Sequence, residues 1–353
     1  MRYIPLLITL LLVVPANANL RADHHEATHS AITPAPREGG WMNRHNRFNE
    51  IVQENQGQID LAFIGDSITQ GWERNGKAVW ETYYANRKAL NLGIGGDRTQ
   101  HVLWRLDNGN IDGISPKVAV IMIGTNNSAN DRNSASEIVD GVTAIVAKLR
   151  KQTPNTKLML LGIFPRGADF NEQRGKILQV NQTLSRLHDG KSIFYQDIGH
   201  HFLEDNGSIS PSIMPDYLHL STAGYGIWAE AIEPFLAMHL GDTPLSVEHA
   251  SFAGEWVFEM ESPQGIVEST LKLEEMGPKL TGEVAFSPER VLAIKAGGRF
   301  QNQFHLQIVR DRPQGGSMTY NITGTLKNDR ITGEAAARMD GERVTIPWSA
   351  TRR

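Results

Sequence analysis

Short apolar runs alternate with helical patterns between residues 41 and 240, and this alternation limits the chain to few folds. The runs lack the polar alternation of half-exposed strands, so they predict strands that are buried on both faces. Residues 134–152 and 173–188 carry apolar residues at spacings of three and four, which predicts amphipathic helices. Strands that alternate with helices indicate right-handed βαβ units and a parallel sheet. The predicted strands are 61–64, 117–123, 157–161 and 193–195.

Charge and cysteine content exclude several classes of protein. The 353-residue chain has 35 Lys and Arg residues against 39 Asp and Glu residues, a formal net charge of −4. Because a nucleic-acid-binding protein normally carries a basic surplus, we expect no nucleic-acid partner. The chain contains no cysteine, which excludes disulfides, thiol nucleophiles and cysteine-ligated metal sites.

The first residues of the chain have the pattern of a secretion signal over 1–18. A basic start precedes an apolar run over 4–14, and Ala16 and Ala18 form the small-residue motif that signal peptidase accepts. An uncleaved membrane anchor is the alternative, but the run is shorter than the roughly 20 residues that span a bilayer. We therefore expect a secreted or periplasmic protein without stable membrane insertion. The polar stretch 19–40 is predicted to be a linker.

The pattern changes after residue 244, where helical periodicity gives way to short alternating runs. Gly-Pro and Asn-Asp pairs between these runs are turn signals. Residues 250–353 are therefore predicted to form a separate antiparallel β domain, either a small barrel or a sandwich. The clearest alternating runs are 270–273, 305–309 and 319–322.

Four polar blocks carry the candidate chemistry, and the first of them, 65–71, follows the first predicted strand. Ligands bind at the carboxyl ends of the strands of a parallel sheet, so a site is expected there. Ser67 lies at the predicted strand-to-helix turn, where a nucleophilic serine has access to substrate and to free backbone N–H groups. The alternative interpretation of this serine, taken alone, is a helix N-cap.

The second and third blocks offer hydrogen-bond donors. Block 91–99 contains three glycines within four positions, Gly96 among them, and glycines let the backbone approach a ligand closely. The spacing of these glycines differs from the G-x-G-x-x-G fingerprint of dinucleotide-binding proteins, so we expect no dinucleotide site here. Block 124–127 follows a buried strand, and the side-chain amide of Asn126 is a good oxyanion donor. An Asx turn is the alternative interpretation of this asparagine.

The fourth block, 216–221, places an acid three residues before a histidine. Asp216 and His219 can lie on one side of a turn, where the carboxylate orients the imidazole and the imidazole takes the proton of Ser67. A helix-capping aspartate beside a surface histidine is the alternative. The α/β-hydrolases share the order Ser, Asp, His, but their serine lies in a G-x-S-x-G motif and their acid and histidine lie far apart.

Together the four blocks resemble the SGNH (GDSL) hydrolase family, whose blocks are named for Ser, Gly, Asn and His. The resemblance is strongest to the intracellular platelet-activating-factor acetylhydrolase branch, and it covers about residues 38–240. It implies a three-layer, flavodoxin-like α/β fold with a parallel sheet, and it does not extend to the β domain. The stretches that carry it are 41–48, 91–99, 101–106, 124–127, 164–167 and 216–219.

The resemblance also implies a role for each motif residue. Ser67 would be the nucleophile, His219 the general base and Asp216 the residue that orients the base. The backbone N–H groups of Ser67 and Gly96, together with the side chain of Asn126, would form the oxyanion hole. No metal or organic cofactor is needed for this chemistry.

The implied reaction is two-step hydrolysis of a short acyl ester, with acetyl as the expected acyl group. A secreted location favours an alcohol other than an intracellular lipid, so the first hypothesis is a carbohydrate O-acetylesterase acting on acetylated carbohydrate or another small ester. A lipid or general short-chain esterase of the acetylhydrolase type is the second hypothesis. A glycan-binding protein that acts through the β domain is the third.

Two further expectations concern partners. The acetylhydrolase subunits pair with each other, so the resemblance allows a homodimer. Trp72, Trp80 and Trp104 are candidates for stacking on sugar rings. Core packing is the alternative role for these indoles.

Overall fold

The computed structural model describes residues 28–353 except 131, 263–264, 288, 312–314 and 340–341. The predicted secretion signal at 1–18 and the first part of the predicted linker lie outside the described residues. Within the described residues, no helix has both the length and the apolar character needed to cross a membrane.

The first part of the described chain is built on a five-stranded parallel sheet with the strand order β2-β1-β3-β4-β5. The strands β1, β3 and β4 consist almost entirely of buried residues, as their continuous apolar runs predict. The five strands are β1 (Leu61–Gly65), β2 (Ala89–Gly93), β3 (Val118–Met122), β4 (Lys157–Leu161) and β5 (Ile193–Gln196).

Strand β2 is the one strand of this sheet that the apolar pattern does not predict. Asn91 interrupts the run in the middle of the strand, although its side chain is buried. The side-chain oxygen of Asn91 accepts the backbone N–H of Gly93 at 2.9 Å. This hydrogen bond offsets part of the cost of burying a polar group, and β2 pairs with β1 along its whole length.

Seven α-helices of the described chain flank the sheet. Helix α5 begins at a reciprocal cap, as the sequence predicts: the Ser134 hydroxyl accepts the Glu137 N–H at 3.2 Å, and the Glu137 carboxylate accepts the Ser134 N–H at 2.9 Å. The predicted helix 173–188 is divided into α6 and a 3₁₀ turn. The helices are α1 (Gly40–Glu54), α2 (Ser67–Gln70), α3 (Lys77–Tyr83), α4 (Thr99–Asp107), α5 (Ala135–Gln152), α6 (Glu172–Leu184) and α7 (Thr222–Leu240).

Two hydrophobic cores lie on opposite faces of the sheet. Successive strand residues point to opposite faces; Ile121 of β3 belongs to the core with α1, α4, α5 and α6, whereas Met122 belongs to the core with α3 and α7. The result is the three-layer α/β fold that the family resemblance implies. Trp72 and Trp80 pack in or against the second core and Trp104 packs against the first, so these indoles have the core-packing role.

Residues 28–40, the described part of the predicted linker, pack along this α/β domain. Ala31 is fully buried, and its carbonyl accepts the hydroxyl of Thr99 at 2.7 Å. The Arg37 guanidinium donates to the Gly95 carbonyl at 2.8 Å. These contacts fix the segment on the domain and bring Arg37 to the second polar block.

The C-terminal part of the chain forms a closed eight-stranded antiparallel barrel in which β13 pairs with β6. Closure pairs every strand with two neighbours and leaves no free sheet edge. The sequence left a barrel and a sandwich open, and the observed closure decides for the barrel. The strands are β6 (Gly254–Ser262), β7 (Gly265–Met276), β8 (Lys279–Ser287), β9 (Arg290–Phe300), β10 (Gln303–Asp311), β11 (Ser317–Lys327), β12 (Arg330–Met339) and β13 (Glu342–Arg352).

Large apolar side chains fill the barrel interior. Trp256 is fully buried, and its indole N–H donates to the Phe252 carbonyl at 2.8 Å. The rings of Phe252 and Phe304 meet edge to face with centroids 5.1 Å apart. A Cβ on Gly324 would lie 2.6 Å from the Phe304 ring, so only glycine leaves room for this ring at that position.

A buried ion pair ties α7 to the segment after α3. The Arg87 guanidinium donates to both carboxylate oxygens of Glu233, at 2.6 and 2.7 Å, and Glu233 is only 3% exposed. The same carboxylate accepts the N–H of Leu245, between α7 and the barrel, at 2.7 Å. The hydrogen bond to Glu233 is the main cause that raises the pKa of Arg87. The carboxylate therefore depends on Arg87 for its counter-charge.

We predict that Arg87→Leu lowers the free energy of unfolding by about 3–5 kcal/mol, because it leaves the Glu233 carboxylate buried without a cation. Urea denaturation followed by tryptophan fluorescence measures this change. Lys77→Leu is the matched control: Lys77 and Glu81 form an exposed pair at 3.8 Å, and its loss should cost less than about 1 kcal/mol. Equal losses of unfolding free energy in the two variants would contradict the dependence of Glu233 on Arg87.

Candidate active site

The first polar block forms the sharp turn between β1 and α2. Asp66 is the N-cap residue, and its side chain accepts the N–H of Ile68 at 3.0 Å. Gly65 has no room for a side chain, because a Cβ there would lie 2.5 Å from the Met122 carbonyl oxygen. The turn places the half-buried Ser67 as the first residue of α2.

His219 lies between Ser67 and Asp216, although 152 positions separate it from Ser67 in the chain. Its Nε2 is 2.9 Å from the serine Oγ, and its Nδ1 is 2.7 Å from Oδ2 of the aspartate. When Nδ1 carries the proton and donates to the carboxylate, Nε2 presents its lone pair to the serine hydroxyl. The structure thus brings together the three residues that the sequence predicts as a triad.

A tight turn puts Asp216 and His219 on the same side of the chain. Oδ1 of Asp216 accepts the backbone N–H groups of Leu218 and His219 at 3.1 and 2.7 Å. Tyr217 has a φ of 59°, a left-handed conformation that is uncommon for a bulky residue. Burial opposes ionisation of Asp216, but the hydrogen bonds from the side chain and backbone of His219 outweigh it and lower its pKa. The ionised carboxylate can therefore orient the imidazole.

The second block lies directly against the Ser67 turn. The side-chain oxygen of Gln70 accepts the N–H of Gly95 at 2.7 Å. A Cβ built on Gly95 would lie 3.8 Å from the Ser67 Cβ, which is van der Waals distance. The next residue, Gly96, is exposed and has a φ of 76°, which glycine adopts readily. The predicted backbone donor is thus the neighbour of Gly95, whose backbone passes close to Ser67.

Asn126 and Asn127 connect the third block to the second in different ways. The side-chain N–H of Asn126 donates to the Asp97 carbonyl at 2.9 Å. Asn127 is buried, accepts the N–H of Thr99 at 3.0 Å and donates to the Asn133 side chain at 2.9 Å. Asn127 therefore holds the start of α4, whereas Asn126 lies against the loop of the second block.

The buried carboxylate of Asp97 holds this loop from the protein interior. It accepts hydrogen bonds from the Trp41 indole at 2.6 Å, from the Arg105 guanidinium at 2.9 Å and from Arg37 at 3.4 Å. Burial raises the pKa of Asp97, and the charge of Arg105 opposes that effect. Because Asp97 and Arg105 are both almost completely buried, each supplies the counter-charge that the other needs.

His101 holds the end of the same loop as a neutral acceptor. Its Nδ1 accepts the backbone N–H of Arg98 at 3.0 Å. Burial, followed by the charges of Arg98, Arg37 and Arg105, lowers the pKa of His101 to about 3. The ring is therefore neutral at physiological pH, and its lone pair stays available to the Arg98 N–H.

Three residues that contact these blocks are not predicted from the sequence as site residues. Gln70 and Arg37 bond to the backbone of Gly95, and Arg166 donates to the carbonyl and the hydroxyl of Thr125 at 3.3 Å. Gln70 belongs to the first block and Arg166 to a stretch that resembles the family, so the sequence could have indicated both as site residues. Arg37 carried none, because the polar stretch around it predicts a linker.

The site holds no cluster of metal ligands among the residues that the structure describes. In this part of the chain, no three His, Asp or Glu side chains meet in an arrangement suited to a metal ion. The expectation that the chemistry needs no metal or cofactor stays a prediction.

The residues of this site lie in a region that matches a known protein family. The model of the GDSL-like lipase/acylhydrolase family matches residues 63–227, which include all four blocks. Platelet-activating factor acetylhydrolase IB subunit alpha2 of Rattus norvegicus is 38% identical over 205 residues, which are 58% of this chain and 86% of the relative. Subunit alpha1 of Rattus norvegicus is 37% identical over 200 residues, which are 56% of this chain and 83% of the relative.

The chain also has partial similarity to solved structures. A GDSL-like lipase from Bacteroides thetaiotaomicron matches with a TM-score of 0.45 and 20% sequence identity. The match covers 55% of this chain and 98% of that chain.

Asp66 is an ionisable group that the site buries completely. Burial raises its pKa to about 7; the N–H of Ile68 favours the ionised form, and the charge of Asp97 disfavours it. Oδ2 of Asp66 has no hydrogen-bond partner among the described residues. The carboxyl is therefore protonated in the folded protein at acidic pH and ionises near neutrality.

The wild type is expected to lose stability as the pH rises, because Asp66 must ionise while buried. We predict that Asp66→Asn does not show this loss. The unfolded carboxyl ionises near its ordinary pKa of 3.8, so the folded wild type loses stability between about pH 4 and pH 7. Asparagine keeps the capping oxygen but does not titrate. Relative to wild type, the variant should therefore gain several kcal/mol over that range, since one pKa unit corresponds to about 1.4 kcal/mol.

Urea denaturation at a series of pH values measures this difference. Glu54→Gln, at an exposed position of α1, is the control and should follow the wild-type profile. A difference between Asp66→Asn and wild type that stays constant with pH would show that Asp66 does not titrate in this way.

Proposed function

Because the chain belongs to the GDSL-like lipase/acylhydrolase family, we propose that it is a serine esterase that removes acetyl groups from an esterified carbohydrate. The observation that carries the proposal is the hydrogen-bonded relay from Asp216 through His219 to Ser67, with distances of 2.7 and 2.9 Å. A serine nucleophile needs such a base within hydrogen-bond reach and a third group that orients the base.

The first chemical step is attack of the Ser67 Oγ on the ester carbonyl carbon. His219 accepts the serine proton at Nε2 while the C–O bond forms, and Asp216 stabilises the resulting imidazolium. The geometry supports this role, because the imidazole bridges the two side chains before substrate binds. The serine is thus activated without a change in the position of the base.

The carbonyl oxygen becomes an oxyanion, and three donors are proposed to bind it. They are the backbone N–H groups of Ser67 and Gly96 and the side-chain amide of Asn126. One Asn126 N–H is fixed on the Asp97 carbonyl, which leaves the second hydrogen of that amide for the oxyanion. A donor of this kind typically contributes about 2.7–4 kcal/mol of transition-state stabilisation.

The second half of the reaction releases the acyl group. The protonated His219 gives its proton to the leaving alcohol, and an acyl ester of Ser67 remains. Water then attacks this ester while His219 Nε2 takes its proton, and the acid leaves as the serine proton is restored. The same three residues therefore serve both halves of the reaction.

Acetyl is the acyl group that the relatives favour. The mammalian relatives are named acetylhydrolases. A short acyl group needs only a small space beside the serine, since most of the substrate then lies on the alcohol side. We therefore assign specificity chiefly to the groups that surround the alcohol.

A carbohydrate is the alcohol that the position of the relay favours. The side chains of His219 and Asp216 are 41% and 56% exposed, so the site opens to solvent and can receive a bulky polymer. The predicted secretion signal would also bring the enzyme to polysaccharides outside the cell. An acetylated lipid is the second candidate, because the relatives are named for platelet-activating factor.

We predict that the wild type releases acetate from acetylated xylan and that Ser67→Ala lowers the rate by at least about 10³-fold, because no nucleophile remains. Acetate release measured enzymatically, with acetylated xylan and a 2-acetyl phospholipid as parallel substrates, tests the proposal. Ser136→Ala, an exposed serine on α5, is the matched control and should keep full activity.

Each outcome of this assay has a distinct meaning. Serine-dependent release from xylan alone supports the carbohydrate esterase. Serine-dependent release from the phospholipid alone replaces the carbohydrate with a lipid. Acetate release that persists in Ser67→Ala would overturn the catalytic assignment itself.

A further inference from the structure

Three arginines lie on or against the loops that carry the proposed oxyanion donors. Arg37 donates to the Gly95 carbonyl at 2.8 Å, and its guanidinium is 3.2 Å from the position that a Cβ on Gly96 would take. Arg132 donates to the Asn126 carbonyl at 3.3 Å. The third, Arg98, directly follows the Gly96–Asp97 pair in the chain. We call Arg37, Arg98 and Arg132 the arginine cluster.

Counting only the residues that the structure describes, the arginine cluster has few carboxylates beside it. Arg98 is half-buried, and this burial, followed by the charges of Arg132 and Arg37, lowers its pKa. No carboxylate of the described residues lies within ion-pair distance of Arg98 or Arg132, and the Asp97 carboxylate is shared by Arg37 and Arg105. Guanidinium groups held together without counter-charges repel one another, so an anion placed among them would relieve that repulsion.

The chemistry of the guanidinium indicates which anion would fit. Its planar fork of N–H donors binds the two oxygens of a carboxylate in parallel, and such pairs are among the strongest hydrogen bonds at protein surfaces. Arg132 is exposed and Arg37 is partly exposed, so both are open to a substrate. The cluster lies beside the proposed oxyanion donors, within reach of an ester bound there.

We propose that the arginine cluster binds a carboxylate on the alcohol part of the substrate, which makes the substrate an acetylated acidic carbohydrate such as a uronic acid polymer. The inference rests on the proposed esterase function and adds the charge of its substrate. The cluster would hold the carboxylate while Ser67 attacks the neighbouring acetyl ester. It would also raise the rate of encounter with an anionic polymer.

The test compares two acetyl esters of nearly equal shape, 4-acetoxybenzoate and 4-acetoxybenzamide. We expect the wild type to favour the carboxylate over the amide by about tenfold or more in kcat/KM, and added salt should reduce that preference because it screens the charges. Arg98→Gln should bring the preference close to one. Arg186→Gln, an exposed arginine after α6, is the matched control and should retain the wild-type preference.

Failure of this inference is distinguishable from failure of the proposed function. Ser67-dependent hydrolysis of both esters without a preference would overturn the anion site and leave the esterase standing. Equal losses on both esters in Arg98→Gln would also overturn it, because the arginine would then support the oxyanion loop alone. Absence of any Ser67-dependent hydrolysis would defeat both proposals. Acetylated polygalacturonate and its methyl ester repeat the comparison on a polymer, with the same expected order.

A second inference rests on a separate set of contacts, between the barrel and the loop that carries Asp216 and His219. The N–H of Gly297 in β9 donates to the Ser212 hydroxyl at 2.8 Å, in a buried position. The Ser212 carbonyl in turn accepts the Ser221 hydroxyl at 2.6 Å. The loop that contains Asp216 and His219 is therefore closed by a hydrogen bond between Ser212 and Ser221, and Ser212 is also bonded to the barrel.

The barrel backbone approaches this loop as closely as packing allows. A Cβ on Gly298 would lie 2.9 Å from the Ala223 Cβ and 3.1 Å from the Ser212 carbonyl oxygen, so a side chain there would displace one of them. Phe300 is buried in the core shared with α3 and α7, with its ring 6.5 Å from that of Tyr83. Strand β9 thus makes a close, anchored contact at the start of α7.

We infer that the barrel positions the His219–Asp216 loop, with Ser212 as the positioning residue. The family match ends at residue 227, before the barrel begins, so this support lies outside the matched domain. The hydrogen bond from Gly297 orients the Ser212 hydroxyl, and the Ser212 carbonyl fixes the end of the loop. Loss of this support would let Nε2 of His219 move relative to the serine hydroxyl.

We predict that Ser212→Ala lowers kcat about tenfold with KM within about twofold of wild type, since small misplacements of catalytic groups are costly. The kcat is expressed per active site, counted by stoichiometric phosphonylation of Ser67, so that unfolded enzyme does not contribute. Gly298→Ala tests the same contact from the barrel side and should act in the same direction. Ser317→Ala, an exposed serine at the start of β11, is the control.

A purely structural contact would give another result. It would lower the melting temperature and the number of titrated sites but leave kcat per site unchanged. Wild-type kcat per site in both Ser212→Ala and Gly298→Ala would therefore overturn the inference. If neither variant nor the wild type shows Ser67-dependent turnover, the proposed function fails instead.

Discussion

The buried carboxylate of Asp97 is the interaction on which the arrangement of the candidate site depends. Its side chain joins Trp41 of α1 to Arg105 of α4, and its backbone carbonyl accepts the Asn126 amide. Asp97 thus fixes the second block both to the interior and to the third block, although it takes no part in the proposed chemistry. Because the ion pair with Arg105 is inaccessible to water, neither group can exchange its partner for solvent without a large cost.

The site is also a place where charge is distributed unevenly. On the side of the relay, Asp216 faces His219 and lies within the electrostatic reach of Arg166. On the side of the oxyanion loops, guanidinium groups prevail and Asp97 is already shared. An ester bound between these sides would lie with the relay on one side and a positive field on the other. This uneven charge could orient a bound ester, which the open, half-exposed shape of the site alone would not do.

Much of this arrangement could be predicted from the sequence because strand ends determine where side chains meet. Continuous apolar runs identified β1, β3 and β4, which puts Ser67 at the carboxyl end of a strand. The block with His219 follows no strand directly and was predicted from its motif. Strand β2 escaped prediction because Asn91 breaks its run, and Arg37 escaped because its contact with Gly95 depends on tertiary packing. Alternation in the C-terminal part fits a barrel and a sandwich equally well, so closure could be known only from the pairing of the first and last strands.

The separation of 152 positions between Ser67 and His219 has a consequence for the order in which the relay can assemble as the chain is made. The serine turn joins β1 to α2 near the start of the α/β domain, whereas the base belongs to the last loop before α7, which also contacts Gly297 in β9 of the barrel. A chain that ends before residue 219 contains the serine turn without the base. The relay from Asp216 through His219 to Ser67 is thus a long-range contact, and it forms only when folding brings the first strand and the last loop of the α/β domain together.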